Sequence, residues 1–445
     1  MNNNNKVEII EVSYVNKSTE RLWGFVIDTP KANTQHNVYL ITIKGWVLGK
    51  KSQVKEIWLT YHNTPHRPLK TTTVSLHRPD VARRYPQVKN AENSGFYMLL
   101  SVVGIPFEVD LGIQLVFQDQ CRINIGKIRL RHQALQSPYQ PKLQPLMLNA
   151  LGRSGSTWLM HILTECQNII VQRQYPYEAY AAKYWLYMLF RFISDPMNYL
   201  EVKVPDTFFD LTMQWLNNHL LHNKSSQDWL GRTYIEQALA FCQQSIDGFY
   251  EQIAVSQSQK IELGHNASNS PVYFAEKFGP GEPAQFLYEI YPQVAEIFLV
   301  RDFRDVLCSS LSFSEKMGHF GPFNVQNKEE AVKIIKSNAV NVLHAWQNRS
   351  TQAHLVRYED LILEPVHTLQ AILSYLNLDH DLSLVKRIVK NASKSTPVIM
   401  QKRHKTTSHP KKSIGRWQQD LNDSMKALCQ EHLAEELEAF GYDTK

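Results

Sequence analysis

The sequence has few cysteines, no long apolar run and no dense charge of either sign. Its five cysteines lie far apart and form no Cys-x-x-Cys pair, which argues against a disulfide framework or a zinc site and predicts reduced thiols. No window approaches 18 uncharged apolar residues, and the most apolar one, 184–193, is short and contains Arg191. We therefore expect no membrane span. The Asn-rich start, 1–6, lacks the apolar stretch of a signal peptide, so we expect a cytoplasmic protein.

Composition and net charge exclude further classes of protein. The 445 residues are 43% hydrophobic and 20% charged, which does not fit a disordered chain, a collagen or a coiled coil. A net charge of +6 over this length is only mildly basic. It does not predict a nucleic-acid partner, which needs a denser basic face, but it is compatible with a local pocket for an anionic small molecule.

The chain divides into a part made of strands and a part in which strands alternate with helices. Residues 1–132 hold short runs rich in Val, Ile, Tyr and Trp, which predicts a small all-β, sandwich-like domain. Residues 133–144 are polar, contain two prolines and lack periodicity, as linkers do. Over 145–445 the alternating patterns predict an α/β domain with a parallel sheet flanked by helices. The mostly helical, aromatic-rich stretch of about 175–265 is predicted to be an insertion within that domain.

The patterns also locate individual elements. Strands are predicted in the N-terminal part at 24–28, 38–48, 54–61, 95–102, 107–117 and 123–130. In the C-terminal part they are predicted at 146–151, 272–276, 295–301 and 354–358. Helices are predicted at 157–166, 234–253, 329–348, 365–376 and 424–440.

The sharpest local signal is a turn rich in glycine and serine, between a buried strand and a helix. Its glycines let backbone N–H groups approach an anion closely, and the helix start adds unsatisfied N–H donors and partial positive charge. Side chains of the turn add further donors: Arg153, Ser154, Ser156 and Thr157. Together these features predict an oxyanion site, although such a turn standing alone is often only a strand–helix connection. No lysine precedes Ser156 or Thr157, which argues against a Walker A loop and its Mg²⁺-dependent chemistry.

A second segment, 299–309, has the same layout of apolar strand, charged turn and helix start. Arg301 stands at the carboxyl end of the strand, and Ser309 follows two helical turns later. Ligands of open α/β sheets bind at such strand ends, so Arg301 and Ser309 could hold a second phosphate. For Arg304 and Asp305 we favour a structural Arg–Asp network at the helix start.

The two segments together resemble the signature motifs of sulfotransferases that use 3′-phosphoadenosine-5′-phosphosulfate (PAPS). In that family the first loop binds the 5′-phosphosulfate, and the second binds the 3′-phosphate through its first Arg and its final Ser. The chain reads Gly-Arg-Ser-Gly-Ser-Thr-Trp at 152–158 and Arg-Asp-Phe-Arg-Asp-Val-x-x-Ser at 301–309. It departs from the pattern at Gly152 and Phe303, where Pro is typical, and at Arg153, where cytosolic members have Lys. The resemblance, to the bacterial and glycan-type branch, implies a P-loop-like sulfotransferase fold over about 145–442.

Three further segments resemble family motifs in the same order along the chain. They are the Glu-Lys segment at 273–278, the Tyr-Glu-Asp segment at 356–361 and the Gly-x-Trp segment at 413–417. The resemblance implies PAPS as co-substrate, no metal ion, and a hydroxyl or amine acceptor on a carbohydrate, lipid or small metabolite. It also implies that cofactor contacts come from Arg153, Ser154, Gly155, Ser156, Thr157, Trp158, Arg301, Ser309, Tyr358, Gly415 and Arg416.

For catalysis, the resemblance implies that Glu276 takes the proton from the acceptor, that Lys277 approaches the sulfonate and that Arg153 steadies the leaving phosphate. His319, in a loop flanked by glycines, is a rival base. A surface position is the structural alternative for Glu276.

Other candidate residues have structural alternatives as well. Trp158 stacks on adenine or packs in the core. The basic run that ends at Arg416 forms either a lid over the cofactor or a solvated loop. The aromatic stretch 175–185 could line an acceptor cleft, but core packing is favoured.

Two other classes of function compete with sulfuryl transfer. A P-loop kinase would need the Walker lysine, which the first loop lacks. A noncatalytic nucleotide- or glycan-binding protein would show damaged cofactor contacts, whereas Arg153, Arg301 and Ser309 are all present.

Overall fold

The computed structural model describes residues 5–14, 20–61, 68–194, 224–261, 272–279, 284–318, 328–399 and 405–444. The rival base His319 lies outside these ranges. All five cysteines lie within them as free thiols. Within the described ranges, no helix is long and apolar enough to cross a membrane.

The chain groups into two compact units. The first comprises Met1–Gln140, Leu186–Cys242 and Ala284–Ile290, and the second comprises Pro141–Trp185, Gln243–Pro283 and Tyr291–Lys445. The domain boundaries expected from the sequence, with a linker at 133–144 and an insertion at about 175–265, stay predictions.

The first unit contains two antiparallel sheets, as expected for the all-β part of the chain. The strands are β1 (Val7–Tyr14), β2 (Leu22–Thr29), β3 (Thr34–His36), β4 (Leu40–Gly49), β5 (Val54–Tyr61), β6 (Pro68–Thr73), β7 (Gly95–Ser101), β8 (Glu108–Phe117) and β9 (Arg122–His132). The six-stranded sheet has the order β3-β1-β9-β8-β5-β6, and the three-stranded sheet has the order β2-β4-β7. The six predicted strands are therefore confirmed, whereas β1, β3 and β6 were not predicted.

Strand β1 was not predicted because charged residues interrupt its apolar pattern. Its acidic residues Glu8 and Glu11 interrupt the apolar pattern, yet they face basic residues of β9 across the sheet. Glu8 lies 3.7 Å from Arg131, and Glu11 lies 3.5 Å from Lys127. Such cross-strand pairs of opposite charge help an exposed strand face to pair, so the charges belong to the strand rather than ending it.

The second unit is built on a five-stranded parallel sheet. Its strands are β10 (Gln144–Ala150), β11 (Ile169–Ile170), β12 (Tyr273–Phe278), β13 (Ala295–Val300) and β14 (His354–Arg357). Their order in the sheet is β11-β12-β10-β13-β14. Four of them match the predicted strands, and β11 was missed because two residues carry no periodicity. All six residues of β13 are buried. Such runs are typical of a parallel sheet covered on both faces.

The helices cover both faces of this sheet and confirm the predicted α/β architecture. Alternate residues of β13 enter two different cores: Ile297 and Leu299 join one cluster, and Phe298 and Val300 join the other. The described helices of the whole chain are α1 (Pro79–Arg84), α2 (Ser156–Leu163), α3 (Ala181–Ser194), α4 (Lys224–Asp228), α5 (Ile235–Ile261), α6 (Ala284–Ile290), α7 (Phe303–Met317), α8 (Lys328–Arg349), α9 (Tyr358–Leu363), α10 (Pro365–Tyr375), α11 (Leu382–Lys394), α12 (Trp417–Asp420) and α13 (Asp423–Ala439). The five predicted helices correspond to α2, α5, α8, α10 and α13.

Candidate active site

The predicted phosphate loop lies between β10 and α2, at the carboxyl edge of the parallel sheet. Gly155 is the N-cap residue of α2 and has a left-handed φ of +92°. Arg153 also has a positive φ, +72°, which is uncommon for a residue with a side chain. The turn therefore places the N-terminus of α2 at the carboxyl edge of the sheet, and helix N-termini are positions at which anions bind.

Arg301 follows β13 and lies beside this loop. Its side chain is buried, and its Nη1 donates a hydrogen bond of 2.9 Å to the carbonyl oxygen of Arg153. Its Nη2 donates to the carbonyl oxygen of Ser413, and the guanidinium lies 4.5 Å from the ring centre of Tyr358. Within the described part of the chain, Nε of Arg301 finds no acceptor. A buried guanidinium N–H without an acceptor fits an anionic ligand, because such donors are costly to leave unpaired.

Ser309, two turns into α7, is brought against Arg153 of the first motif. Nε of Arg153 donates to the Ser309 hydroxyl at 3.2 Å, and its guanidinium lies 4.4 Å from the ring centre of Phe313. Burial, followed by the neighbouring charge of Arg301, lowers the pKa of Arg153 to about 10. The half-buried guanidinium of Arg153 and the buried guanidinium of Arg301 thus repel one another, and a bound anion would relieve the repulsion.

Arg304 and Asp305 have the structural roles that the sequence analysis favoured. Arg304 forms a bidentate pair with Asp302, the N-cap residue of α7, and stacks 3.8 Å from the ring centre of Trp417. The Asp305 carboxylate accepts hydrogen bonds from the backbone N–H groups of Gly415, at 2.7 Å, and Trp417, at 3.0 Å. Burial raises the pKa of Asp305 to about 6. These contacts hold the 413–417 segment on α7, beside Arg301.

Tyr358, at the start of α9, packs against the phosphate loop. A Cβ atom on Gly155 would lie 2.5 Å from Cδ2 of the Tyr358 ring, so the close approach requires glycine. The Tyr358 hydroxyl lies 2.9 Å from the Ser413 hydroxyl. Tyr358, Gly155 and Arg301 therefore form one packed wall of the site.

Lys277, on β12, reaches the phosphate loop from a neighbouring strand. Its Nζ donates to the Thr157 hydroxyl at 3.0 Å, to the carbonyl oxygen of Pro176 at 3.2 Å and to the Glu178 carboxylate at 2.7 Å. Burial lowers the pKa of Lys277, and the pair with Glu178 opposes that shift. The loop lacks a lysine of its own, and β12 supplies one beside Thr157.

Glu276, the preceding residue of β12, lies in a different environment. Its carboxylate accepts hydrogen bonds from the backbone N–H groups of Ala182, at 2.7 Å, and Lys183, at 3.0 Å, and from the Tyr250 hydroxyl. The residue is 1% exposed. Burial raises its pKa, while these hydrogen bonds oppose the shift. The surface position, which was the structural alternative for Glu276, is therefore wrong, and the expected role of Glu276 as the base stays a prediction.

The remaining predicted residues are placed as follows. Ser154 is buried, and Ser156 and Trp158 are half-buried at the start of α2. Trp158 packs against the core and lies 5.6 Å from the ring of His161. Gly415 has a φ of +67°. Arg416 donates to the hydroxyls of Thr406, at 2.9 Å, and Ser312, at 3.0 Å, and pairs with Asp420, so it ties Thr406 to α7. The first residues of the basic run, 402–404, lie outside the described residues.

Three residues of the site were not singled out by the sequence analysis: Glu178, Tyr250 and Ser413. Glu178 and Tyr250 are distant in sequence from Lys277 and Glu276, and no local pattern connects them. Glu178 lies within the aromatic stretch 175–185, which is its only sequence signal, and Tyr250 has none. The members of that stretch differ in the structure: Tyr177 is buried, whereas Tyr180 and Tyr184 are exposed. The core interpretation of that stretch thus holds for Tyr177 but not for the other two. Among the described residues, no group of three or more His, Cys, Asp or Glu side chains could hold a metal ion.

Comparisons with known proteins gave one family match and several similar solved structures. A family model described as the sulfotransferase family matches residues 145–381, more than half of the chain. The chain is similar to the sulfotransferase domain of the Synechococcus PCC 7002 olefin synthase, with 15% identity, 70% of this chain and 99% of that chain covered, and a TM-score of 0.39. It is also similar to the sulfotransferase domain of the curacin biosynthetic pathway, with 14% identity, 66% of this chain and 98% of that chain covered, and a TM-score of 0.36. A third similar structure is a mouse sulfotransferase complexed with PAP, with 12% identity, 66% of this chain and 85% of that chain covered, and a TM-score of 0.34. No curated protein matches the chain.

Proposed function

Because the chain belongs to the sulfotransferase family, we propose that it transfers the sulfuryl group of PAPS to a hydroxyl or amine acceptor on a carbohydrate, lipid or small metabolite. The observation that carries this proposal is the anion site formed by the N-terminus of α2, Arg153 and Arg301. There a buried Arg301 donor has no acceptor among the described residues, and the pKa of Arg153 is lowered.

We propose that the two motifs divide the binding of the cofactor. The loop at 153–158 would hold the 5′-phosphosulfate through its N–H groups, its hydroxyls and Arg153. Arg301 and Ser309 would hold the 3′-phosphate, and Tyr358 and Trp158 would offer aromatic faces to the adenine. Gly415 and Arg416 would close the site from the segment that Asp305 anchors.

Sulfuryl transfer needs in-line positioning and stabilisation of the negative charge that spreads onto the leaving phosphate. Arg153 and Lys277 would supply that charge stabilisation without a metal ion. A glutamate would take the acceptor proton, as expected for Glu276 from the resemblance. The wide spacing of the five cysteines, which predicts reduced thiols, supports a cytoplasmic location.

The cofactor assignment is tested by isothermal titration of the protein with 3′,5′-adenosine bisphosphate (PAP), beside ATP with Mg²⁺. We expect micromolar binding of PAP and much weaker binding of ATP. Incubation with PAPS labelled in its sulfuryl group and a panel of phenols, sugars, fatty alcohols and amines then tests transfer. Preference for ATP with Mg²⁺, or no binding of PAP, would refute the proposal and favour the kinase-like or binding-only alternatives.

A further inference from the structure

The two charged residues of β12 point to opposite faces of the parallel sheet. Successive side chains of a strand alternate between its faces. Lys277 contacts Thr157 and Glu178 beside the phosphate loop, whereas the carboxylate of Glu276 contacts the start of α3 and Tyr250. The glutamate and the lysine of this motif therefore do not face the same space.

Glu276 is fully engaged as a structural group where it lies. Its two oxygens accept from two successive N–H groups at the N-terminus of α3, where a negative charge is stabilised by the helix dipole. The Tyr250 hydroxyl supplies a third donor, and the residue is 1% exposed. An acceptor hydroxyl would have to displace one of these bonds and enter the core to reach it.

Glu178 has the properties that Glu276 lacks. Its side chain is 25% exposed, so an acceptor can reach it. Its carboxylate and the Thr157 hydroxyl of the phosphate loop both lie within 3.0 Å of the same Lys277 nitrogen. The lysine thus holds an accessible carboxylate next to the loop proposed to bind the phosphosulfate.

We propose that Glu178, rather than Glu276, is the base that takes the proton from the acceptor, and that Glu276 caps helix α3. The assignment rests on the proposed function and names a catalytic residue for it. As the acceptor oxygen forms its bond to sulfur, the bond from sulfur to the bridging oxygen breaks, and its electron pair stays on the 5′-phosphate. The acceptor proton moves to the Glu178 carboxylate and from there to solvent. Lys277 keeps its proton throughout and balances the charge of the leaving phosphate.

The experiment compares Glu178→Gln and Glu276→Gln in the full chain, with Glu251→Gln as a matched control. Glu251 forms an exposed pair with Lys142 at 2.6 Å and takes no part in the site. The readouts are release or transfer of the labelled sulfuryl group of PAPS, with water and with the acceptor panel, and the affinity for PAP by isothermal titration. The melting temperature of each variant reports whether the fold is kept.

For Glu178→Gln we expect transfer to fall by about 100-fold or more, the usual size of a general-base effect. We expect its affinity for PAP to rise by about two- to tenfold, because a negative charge beside the loop is removed and Lys277 loses its partner. A purely structural glutamate would lower both quantities. For Glu276→Gln we expect a lower melting temperature and a loss of transfer of less than about tenfold.

Retention of transfer within threefold by a folded Glu178→Gln variant would overturn the assignment, whatever Glu276→Gln does. Weaker PAP binding together with slower transfer in Glu178→Gln would also overturn it, since this pattern indicates a damaged site. Failure of the unaltered protein to bind PAP or to turn over PAPS contradicts the proposed function itself, and the assignment with it. If Glu276→Gln does not fold, Glu178→Gln alone decides.

Discussion

Removal of the Arg301 side chain tests the phosphate site most directly. In the structure its guanidinium donates to two backbone carbonyl groups, those of Arg153 and Ser413, and keeps one buried N–H without an acceptor among the described residues. A hydrogen bond to a charged group contributes about 1.5–3 kcal/mol, and 1.4 kcal/mol corresponds to about tenfold in affinity. Arg301→Ala should therefore weaken PAP binding by roughly 10- to 150-fold.

The same substitution should also lower stability, because it removes hydrogen bonds to two carbonyl groups and a cation–π contact with the Tyr358 ring. A matched control is Arg349→Ala, which removes another ring-stacked arginine, 5.0 Å from the Phe298 ring centre and 2.9 Å from Glu296. We expect the control to lose stability but to keep its affinity for PAP.

Isothermal titration measures the loss of PAP affinity, and thermal unfolding measures the loss of stability. A second variant, Arg301→Lys, tests whether charge alone is sufficient. The lysine keeps the charge but not the fork of donors, so we expect an intermediate affinity for PAP. If Arg301→Ala folds and binds PAP as tightly as the unaltered protein, the assignment of Arg301 to the 3′-phosphate is wrong.

Three further substitutions test the packing and charge around the site. Gly155→Ala places a Cβ 2.5 Å from the Tyr358 ring at a φ of +92°; we expect PAP binding to be lost and the melting temperature to fall, and a variant that binds normally would contradict the described loop. Asp305 has its pKa raised from 3.8 to about 6, so the folded chain holds more protons than the unfolded one between those values. Its ionisation should lower the free energy of unfolding by up to about 3 kcal/mol as the pH rises from about 4 to 6, with little change above. Urea unfolding of the unaltered protein and of Asp305→Asn at pH 4.5 and pH 7 should show this difference, and equal pH dependence in both proteins would refute it. Tyr250→Phe removes a donor from the buried Glu276 carboxylate and should cost about 1–3 kcal/mol in urea unfolding; a neutral result would argue that this hydrogen bond contributes nothing.

Most helices and strands were predictable because the apolar residues of each element repeat with the period of its buried face. The four longer strands of the parallel sheet were found from their apolar runs, and six strands of the antiparallel sheets from their turns and β-branched residues. The elements that were missed have weak local signals: β11 is two residues long, and β1 carries acidic residues that pair with β9.

The two ligand motifs were also local, since each joins a strand end to a helix start in one short segment. Their contact with one another was expected only from the resemblance, and the structure shows it through Arg153 and Ser309 at 3.2 Å. The roles of Arg304 and Asp305 agreed with the Arg–Asp network expected, but their partners Trp417 and Gly415 lie more than a hundred residues away. The sequence around Arg304 and Asp305 does not indicate such distant partners.

By itself, the sequence determined the fold class, the family and the loop at 152–158, because these depend on periodicity and on contiguous residues. Strand alternation alone also implies that Glu276 and Lys277 face opposite sides of β12. Which side carries the phosphate loop was decided only by the tertiary structure, through the order of strands in the sheet and the path of the crossover helices. That arrangement buries Glu276 under α3 and places Glu178 beside Lys277. Neither contact can be inferred from the spacing of these residues along the chain.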